Sequence, residues 1–159
     1  MAEFATGTWN LVETENFDAY MKALRVGLLM RKLGNIAKPV TEISVHGDQW
    51  TVKTITPTKT VEVTIKPGTE FDEVTLDGRK VKTTFTLEGR KLTCYQKGDP
   101  DSILVREFNG NEMILVKLLQ LLQNMHVLKC GVGGFCFGGL GVSDYRLFWG
   151  TKCKMVHTD

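Results

Sequence analysis

Arg106 is the residue whose type and position point most directly to chemistry. It ends the segment Ile-Leu-Val-Arg at residues 103–106, and strand alternation places Leu104 and Arg106 on the same face. If that face is interior, a guanidinium enters apolar surroundings, where it needs an anionic partner such as a planar carboxylate. If the face is exterior, Arg106 pairs with a neighbouring strand. The periodicity alone leaves both arrangements open.

Other reactive residue types occur without the spacing that catalysis or metal binding needs. The three histidines, His46, His126 and His157, have no serine, cysteine or paired carboxylate at a motif spacing. The glycines of residues 131–134 lack the Lys-Ser/Thr and strand–loop–helix frame of a phosphate-binding loop. The four cysteines match no zinc or disulfide framework. The sequence therefore predicts a protein that is not an enzyme and has no metal or cofactor.

Composition is that of one soluble domain. The chain has 159 residues, 42% hydrophobic and 24% charged, with a net charge of +2, too small to indicate a nucleic-acid partner. The charge is uneven, because residues 117–159 hold five basic and two acidic side chains. No secretory signal precedes the first predicted strand, and the most apolar run, 113–122, is too short to span a membrane.

Two short helices follow the first strand. Residues 6–14 alternate as a strand, and the period changes at Asn16, a suitable N-cap for a helix over residues 16–24. The apolar stripe of that helix consists of Phe17, Tyr20, Met21 and Leu24. A second helix is predicted from Leu28 to a stop at Gly34-Asn35. Such a stripe is usually core, but under a lid it is also a ligand wall.

From residue 40 onward the pattern is that of strands. Alternating segments at 40–45, 49–56, 59–65, 70–76, 79–87, 90–97, 102–108 and 112–116 are separated by turn residues, including Asp77-Gly78 and Asn109-Gly110. Nine strands in series favour an antiparallel meander that closes to remove its edges. Several strands are polar on both faces, which a barrel that holds a ligand tolerates better than a sandwich.

The N-terminal pattern Gly-x-Trp-x-Leu, followed by Asn-Phe-Asp-x-Tyr-Met-x-x-Leu, resembles the signature of the intracellular fatty-acid-binding proteins, within the calycin or lipocalin-like superfamily. The residues that carry it are Gly7, Trp9, Leu11, Asn16, Phe17, Asp18, Tyr20, Met21 and Leu24. The resemblance continues to about Val116, three quarters of the chain. It implies an all-β fold: a ten-stranded antiparallel up-and-down β-barrel of the clam type, with a helix-turn-helix lid near the N-terminus.

The resemblance also implies a ligand site. Arg106 matches an arginine that binds the fatty-acid carboxylate, while Asp77 and Arg79 match a mobile turn near the portal. The full set of ligand-binding residues expected on this basis is Arg106, Phe17, Tyr20, Met21, Leu24, Asp77, Arg79, Leu104 and Leu115. Lys22, Arg31 and Lys32 match basic lid positions linked to membrane collision and nuclear entry, although a solvated helix face explains them equally well.

The last 43 residues depart from the family. Its second carboxylate anchor, Arg-x-Tyr in the final strand, is absent, and Tyr145-Arg146 has the wrong order and spacing. We expect a barrel domain over 1–116 and a divergent tail over 117–159. Within the tail, the leucine pattern predicts an amphipathic helix over 117–130, and 151–156 alternates as a strand. Either 151–156 replaces the tenth strand, or the tail is partly disordered and two barrel edges are exposed.

These observations predict non-covalent binding and intracellular transport of a long-chain fatty acid or similar lipid. The protein is expected to be cytoplasmic and also nuclear, to be monomeric with oligomerisation through the tail as an option, and to touch membranes transiently through the lid. The alternative is a variant with impaired lipid binding whose tail mediates protein or membrane association.

Overall fold

The computed structural model describes residues 2–121 and 147–158. A short 3-10 helix, Glu3–Ala5, precedes strand β1, and two α-helices separate β1 from β2. The elements are β1 Gly7–Glu15, α1 Phe17–Ala23, α2 Leu28–Ile36, β2 Val40–His46, β3 Gln49–Ile55, β4 Thr60–Ile65, β5 Glu70–Val74, β6 Lys80–Glu88, β7 Lys91–Lys97, β8 Asp101–Asn109, β9 Glu112–Leu121 and β10 Leu147–Thr158. The predicted strands between residues 40 and 109 are confirmed with small differences at their ends.

The ten strands form one antiparallel, nearly closed barrel. Their order is β4-β3-β2-β1-β10-β9-β8-β7-β6-β5, so each strand pairs with its sequence neighbour except at two places. Strand β10 lies between β9 and β1 and joins the two halves, while β4 and β5 are the two ends of the order. The predicted up-and-down barrel with a helical lid is confirmed.

A dry core fills one end of the barrel. Trp9 is 1% exposed, and its indole Nε1 donates a hydrogen bond of 3.0 Å to the carbonyl oxygen of Ala5 in the 3-10 helix. Phe108 packs edge-on against both Trp9 and Phe4, with ring centroids 5.5 and 5.6 Å apart. These aromatic contacts bury large apolar areas at one end. The opposite half of the interior is therefore available for polar side chains.

The predicted helix over 117–130 is wrong where the structure describes it, because β9 continues to Leu121. Lys117 pairs with Leu104 of β8 and with Thr151 of β10. The backbone of this segment is thus committed to two neighbouring strands, which outweighs the helical spacing of its leucines. Residues 122–130, the rest of that predicted helix, lie outside the described residues. The predicted strand over 151–156 is confirmed as part of β10.

Two local expectations about the lid are also corrected. Asn16 precedes α1 in the left-handed conformation with φ of 58° and makes no side-chain cap, a backbone shape that asparagine tolerates better than most residues. Helix α2 passes through Gly34 and Asn35 and ends at Ile36. A Cβ atom on Gly34 would lie 2.8 Å from the Met21 sulfur. Gly34 is therefore a close-contact residue between the helices and not a stop signal.

The register of β10 can be tested at Gly150, which lies opposite Leu118. A Cβ atom there would lie 2.7 Å from Leu118 Cδ2 and 3.1 Å from the Lys117 carbonyl oxygen. We expect Gly150→Ala to lower the free energy of unfolding by about 1–3 kcal/mol through overpacking, as measured by urea denaturation. The cost should fall in a Leu118→Ala background, where space is open; an unchanged cost would contradict this pairing.

Candidate functional site

Arg106 lies inside the barrel. Its side chain is on the face of β8 that also carries Ser102 and Phe108, and the residue is 8% exposed. The guanidinium Nε and Nη1 are buried and have no hydrogen-bond partner among the described residues. Burial lowers the pKa of Arg106 from its usual value, although an arginine remains charged. The site thus holds a buried cation with two unused donors, where an anion would be strongly favoured.

A chain of polar side chains lies on the neighbouring strands. The Glu73 carboxylate Oε2 accepts hydrogen bonds from Thr83 Oγ1 at 2.6 Å and Gln96 Nε2 at 3.0 Å. Ser102 Oγ donates to Gln96 Oε1 at 2.7 Å. Thr83, Gln96 and Ser102 are buried, so these bonds satisfy groups that would otherwise be costly. The Glu73 carboxylate is thus engaged by Thr83 and Gln96, and it forms no hydrogen bond with Nε or Nη1 of Arg106.

Lys117 supplies a second interior cation that the sequence analysis did not single out. On β9 it follows Leu115 by two residues and therefore shares its inward face. Its ammonium lies 5.6 Å from the centre of the Phe17 ring. Burial lowers the pKa of Lys117, and the nearby Arg106 charge lowers it further, while the Asp77 carboxylate acts in the opposite direction. Alternation over residues 113–117 places Leu115 and Lys117 on one face, but the leucines that follow favour a helix from residue 117 onward and obscure this signal.

The lid residues divide into two pairs. Tyr20 and Met21 are buried, whereas Phe17 and Leu24 are half-buried. Burial raises the pKa of the Tyr20 hydroxyl well above its usual value, while the Arg79 charge lowers it and the Asp77 charge raises it. The structure therefore brings Tyr20 close to the interior charges. The stripe is core and at the same time the inner surface of the lid.

Asp77 and Arg79 lie in the turn between β5 and β6 and bind each other. Arg79 Nε donates to Asp77 Oδ2 at 2.7 Å, and Arg79 Nη1 donates to the Pro100 carbonyl oxygen at 3.1 Å. Thr75 Oγ1 donates to the other Asp77 oxygen. Lys59 Nζ reaches the Thr75 carbonyl at 3.4 Å and so links the β3–β4 turn to this one. The pair organises the turn beside the gap between β4 and β5.

Leu104 and Leu115 flank Arg106 in the sheet. Leu115 is 7% exposed and lies opposite Arg106 in register, and Leu104 is half-buried opposite Cys94. Burial raises the pKa of the Cys94 thiol to about 12, and it also raises the pKa of Cys153. Both cysteines are free. They are thus protonated, apolar-like wall residues at neutral pH.

Within the described residues 147–158, the inner face of β10 carries no Arg-x-Tyr pair. Thr151 lies opposite Lys117, and Cys153 lies opposite Leu115. Both are buried, and Thr151 Oγ1 donates a hydrogen bond to the Glu15 carbonyl oxygen of β1. In the described part of the chain, the cations of this region are accordingly on β8 and β9.

The model of the lipocalin and cytosolic fatty-acid binding protein family matches residues 6–128. The chain belongs to this family. It is 48% identical over 116 residues to "Sodium/calcium exchanger regulatory protein 1" of Doryteuthis pealeii, covering 73% of this chain and 88% of that protein.

Two solved structures extend the similarity over nearly the whole chain. The REP1-NXSQ fatty acid transporter is 36% identical with a TM-score of 0.77, covering 97% of this chain and 96% of that one. The Schistosoma mansoni fatty acid binding protein in complex with arachidonic acid is 27% identical with a TM-score of 0.78, covering 99% and 98%. Within residues 2–121 and 147–158, no helix is long and apolar enough to cross a membrane, and no group of side chains is arranged to hold a metal ion.

The Asp77–Arg79 turn gives a pH-dependent prediction. Burial opposes ionisation of Asp77, but hydrogen bonds from Thr75 and Arg79 outweigh it and lower the pKa of the carboxyl. The stabilisation is therefore complete above the unfolded pKa of about 4 and is lost as the pH falls through the lower, folded value. We expect Asp77→Asn to reduce the free energy of unfolding by about 1–2 kcal/mol at pH 7 and by less at pH 3.

Asp72→Asn is the matched control for urea denaturation at the two pH values. Asp72 forms an ion pair with Lys82 at 2.9 Å, but its side chain is 86% exposed. Solvent screening makes such a pair nearly neutral for stability. A loss for Asp77→Asn that is the same at pH 3 and pH 7 would mean that the Asp77 charge does not stabilise the turn.

Proposed function

We propose that the protein binds a long-chain fatty acid non-covalently inside the barrel and carries it through the cytoplasm. The observation that carries this proposal is the buried Arg106 guanidinium with its unpaired Nε and Nη1. A carboxylate accepts from both donors at once and neutralises the charge. The fatty-acid transporter and the arachidonic-acid complex among the similar structures support this ligand class.

The acyl chain supplies most of the affinity in this proposal. Burial of each methylene contributes roughly 0.8 kcal/mol before the cost of ordering the ligand. Tyr20, Met21, Leu104 and Leu115 offer the apolar contacts, and Arg106 fixes the direction in which the chain lies. The ion pair between Arg106 and the ligand carboxylate therefore favours an acid over a neutral lipid. The length of the acyl chain determines how tightly either lipid binds.

Arg106→Met separates this role from a structural one. We expect the variant to bind a fatty acid at least tenfold more weakly, since a hydrogen-bonded ion pair contributes about 1.5–3 kcal/mol. Binding of the alcohol with the same chain should change little. Both affinities are measured by titrating the acid or the alcohol into protein that holds a fluorescent lipid and following displacement of that lipid.

The same substitution should raise the melting temperature of the ligand-free protein, because it removes a buried charge that has no partner. Arg90→Met is the control, since Arg90 is exposed and lies at the end of the barrel that the dry core fills. Its guanidinium carbon is 5.5 Å from the centre of the Phe4 ring. Equal losses of acid and alcohol binding, together with a lower melting temperature, would assign Arg106 to the fold. An unmodified protein that binds neither lipid would favour the alternative of impaired lipid binding.

We also propose that the lid delivers ligand during brief contact with a membrane. Helix α2 buries none of its residues, and its exposed apolar side chains include Leu29 at 72% and Ile36 at 77%. Lys22 and Lys32 are exposed on the two lid helices, while Arg31 is engaged with Asp18 at 3.3 Å. Apolar side chains flanked by lysines suit an anionic lipid surface.

Replacing Leu29 and Ile36 by serine should slow transfer of a fluorescent fatty acid to anionic vesicles several-fold. The equilibrium affinity should stay constant, because neither side chain is buried in the barrel. Val12→Ser on β1 is the control, as Val12 is 54% exposed and lies outside the lid. Stopped-flow transfer at rising vesicle concentration is the measurement. A rate that is independent of vesicle concentration in the unmodified protein would indicate diffusion through water and refute the contact.

A further inference from the structure

Arg106 and Lys117 form a pair of cations on adjacent strands. Arg106 lies opposite Leu115, and Lys117 is two residues further along β9 on the same face. Residues in this diagonal relation have side chains within reach of each other across a sheet, and the charge on Arg106 lowers the pKa of Lys117. Two like charges in a region of low dielectric repel strongly. A single carboxylate between them would relieve the repulsion and pair both.

The described carboxylates near this pair are already occupied. Glu73 accepts from Thr83 and Gln96, and Asp77 is held by Arg79 and Thr75. Of the elements packed around Lys117, β8 presents Arg106, β10 presents the protonated Cys153, and the β5–β6 turn presents Asp77. No described residue forms an ion pair or hydrogen bond with the Lys117 ammonium. Among the described residues, the Lys117 ammonium contacts the aromatic ring of Phe17.

That ring belongs to the lid. Phe17 is the first residue of α1, and the Lys117 ammonium lies 5.6 Å from the centre of its ring, within the range of a cation–π contact. The Phe17 ring also lies beside α2, because a Cβ atom on Gly34 would be 3.6 Å from Phe17 Cε1. The contact therefore ties the barrel wall to the place where the two lid helices meet.

We propose that Lys117 is both a second head-group cation and a latch for the lid. In the ligand-free barrel its ammonium binds the face of Phe17. When a fatty acid enters, the ammonium turns to the carboxylate beside Arg106, and its contact with α1 is lost. A charge-assisted hydrogen bond in a desolvated site is stronger than a cation–π contact, so the acid shifts the lysine toward itself. This proposal rests on the fatty-acid site proposed above.

Lys117→Met tests the head-group part. The substitution keeps a long side chain and removes the charge, so binding of the acid should weaken about tenfold, while binding of the alcohol with the same chain should stay the same or improve. Lys117→Arg should retain most of the acid affinity. If Lys117→Met changes acid and alcohol binding equally, Lys117 does not contact the head group and the proposal is overturned. The unmodified protein tests the fatty-acid function separately: failure to bind either lipid would refute that function and this inference with it.

Hydrogen exchange of the α1 backbone tests the latch. In the unmodified protein, α1 should exchange faster when the acid is bound than when the matched alcohol is bound, because only the acid withdraws Lys117. In Lys117→Met the two complexes should exchange alike. Without ligand, both Lys117→Met and Phe17→Leu should speed exchange in α1, the second because leucine keeps the apolar volume but has no ring face. Equal exchange in the acid and alcohol complexes of the unmodified protein would rule out the latch, as would unchanged exchange in the two ligand-free variants.

Discussion

Positive charge inside the barrel is the constraint on which the rest of the structure depends. Arg106 is buried with two donors unused, and Lys117 carries a second cation on the next strand. An uncompensated buried charge costs several kcal/mol in a folded protein. In the function proposed above, an anionic ligand completes the site and stabilises the folded state in return.

The remainder of the barrel separates stability from binding. At the end that the dry core fills, the Phe108 ring packs edge-on against Trp9 and Phe4. The carbonyl oxygen of Ala5 in the 3-10 helix accepts the indole hydrogen bond. This end supplies dry apolar burial, which is the main source of stability. The other half can then hold Glu73, its hydrogen-bonded neighbours and the two cations. A single sheet thus combines a conventional core with a polar interior.

Strand β10 makes this arrangement possible. It pairs with β1 on one side and β9 on the other, so the barrel wall is continuous between its two halves. By keeping β9 in the sheet as far as Leu121, it also fixes Lys117 on the inner face. The close approach of Gly150 to Leu118 shows how tightly the two strands pack. Closure of the wall and placement of the second cation are consequences of the same pairing.

Much of the molecule was determined by local sequence. Alternating strands with glycine turns specify a meander, the change of period at Asn16 specifies α1, and alternation in 103–106 places Leu104 and Arg106 on one face.

Tertiary structure decided the features for which the local sequence pattern allows two conformations or two orientations. The leucines of 117–121 suit a helix or a strand, and partners on β8 and β10 select the strand. Gly34 resembles a helix stop, yet contact with Met21 keeps it inside α2. Arg106 faces inward because the sheet closes with the Leu104 and Arg106 face of β8 on the inside. Lys117 shares that face because β9 stays in the sheet between β8 and β10. A residue's face follows from its period, but whether that face is interior depends on strands distant in the chain.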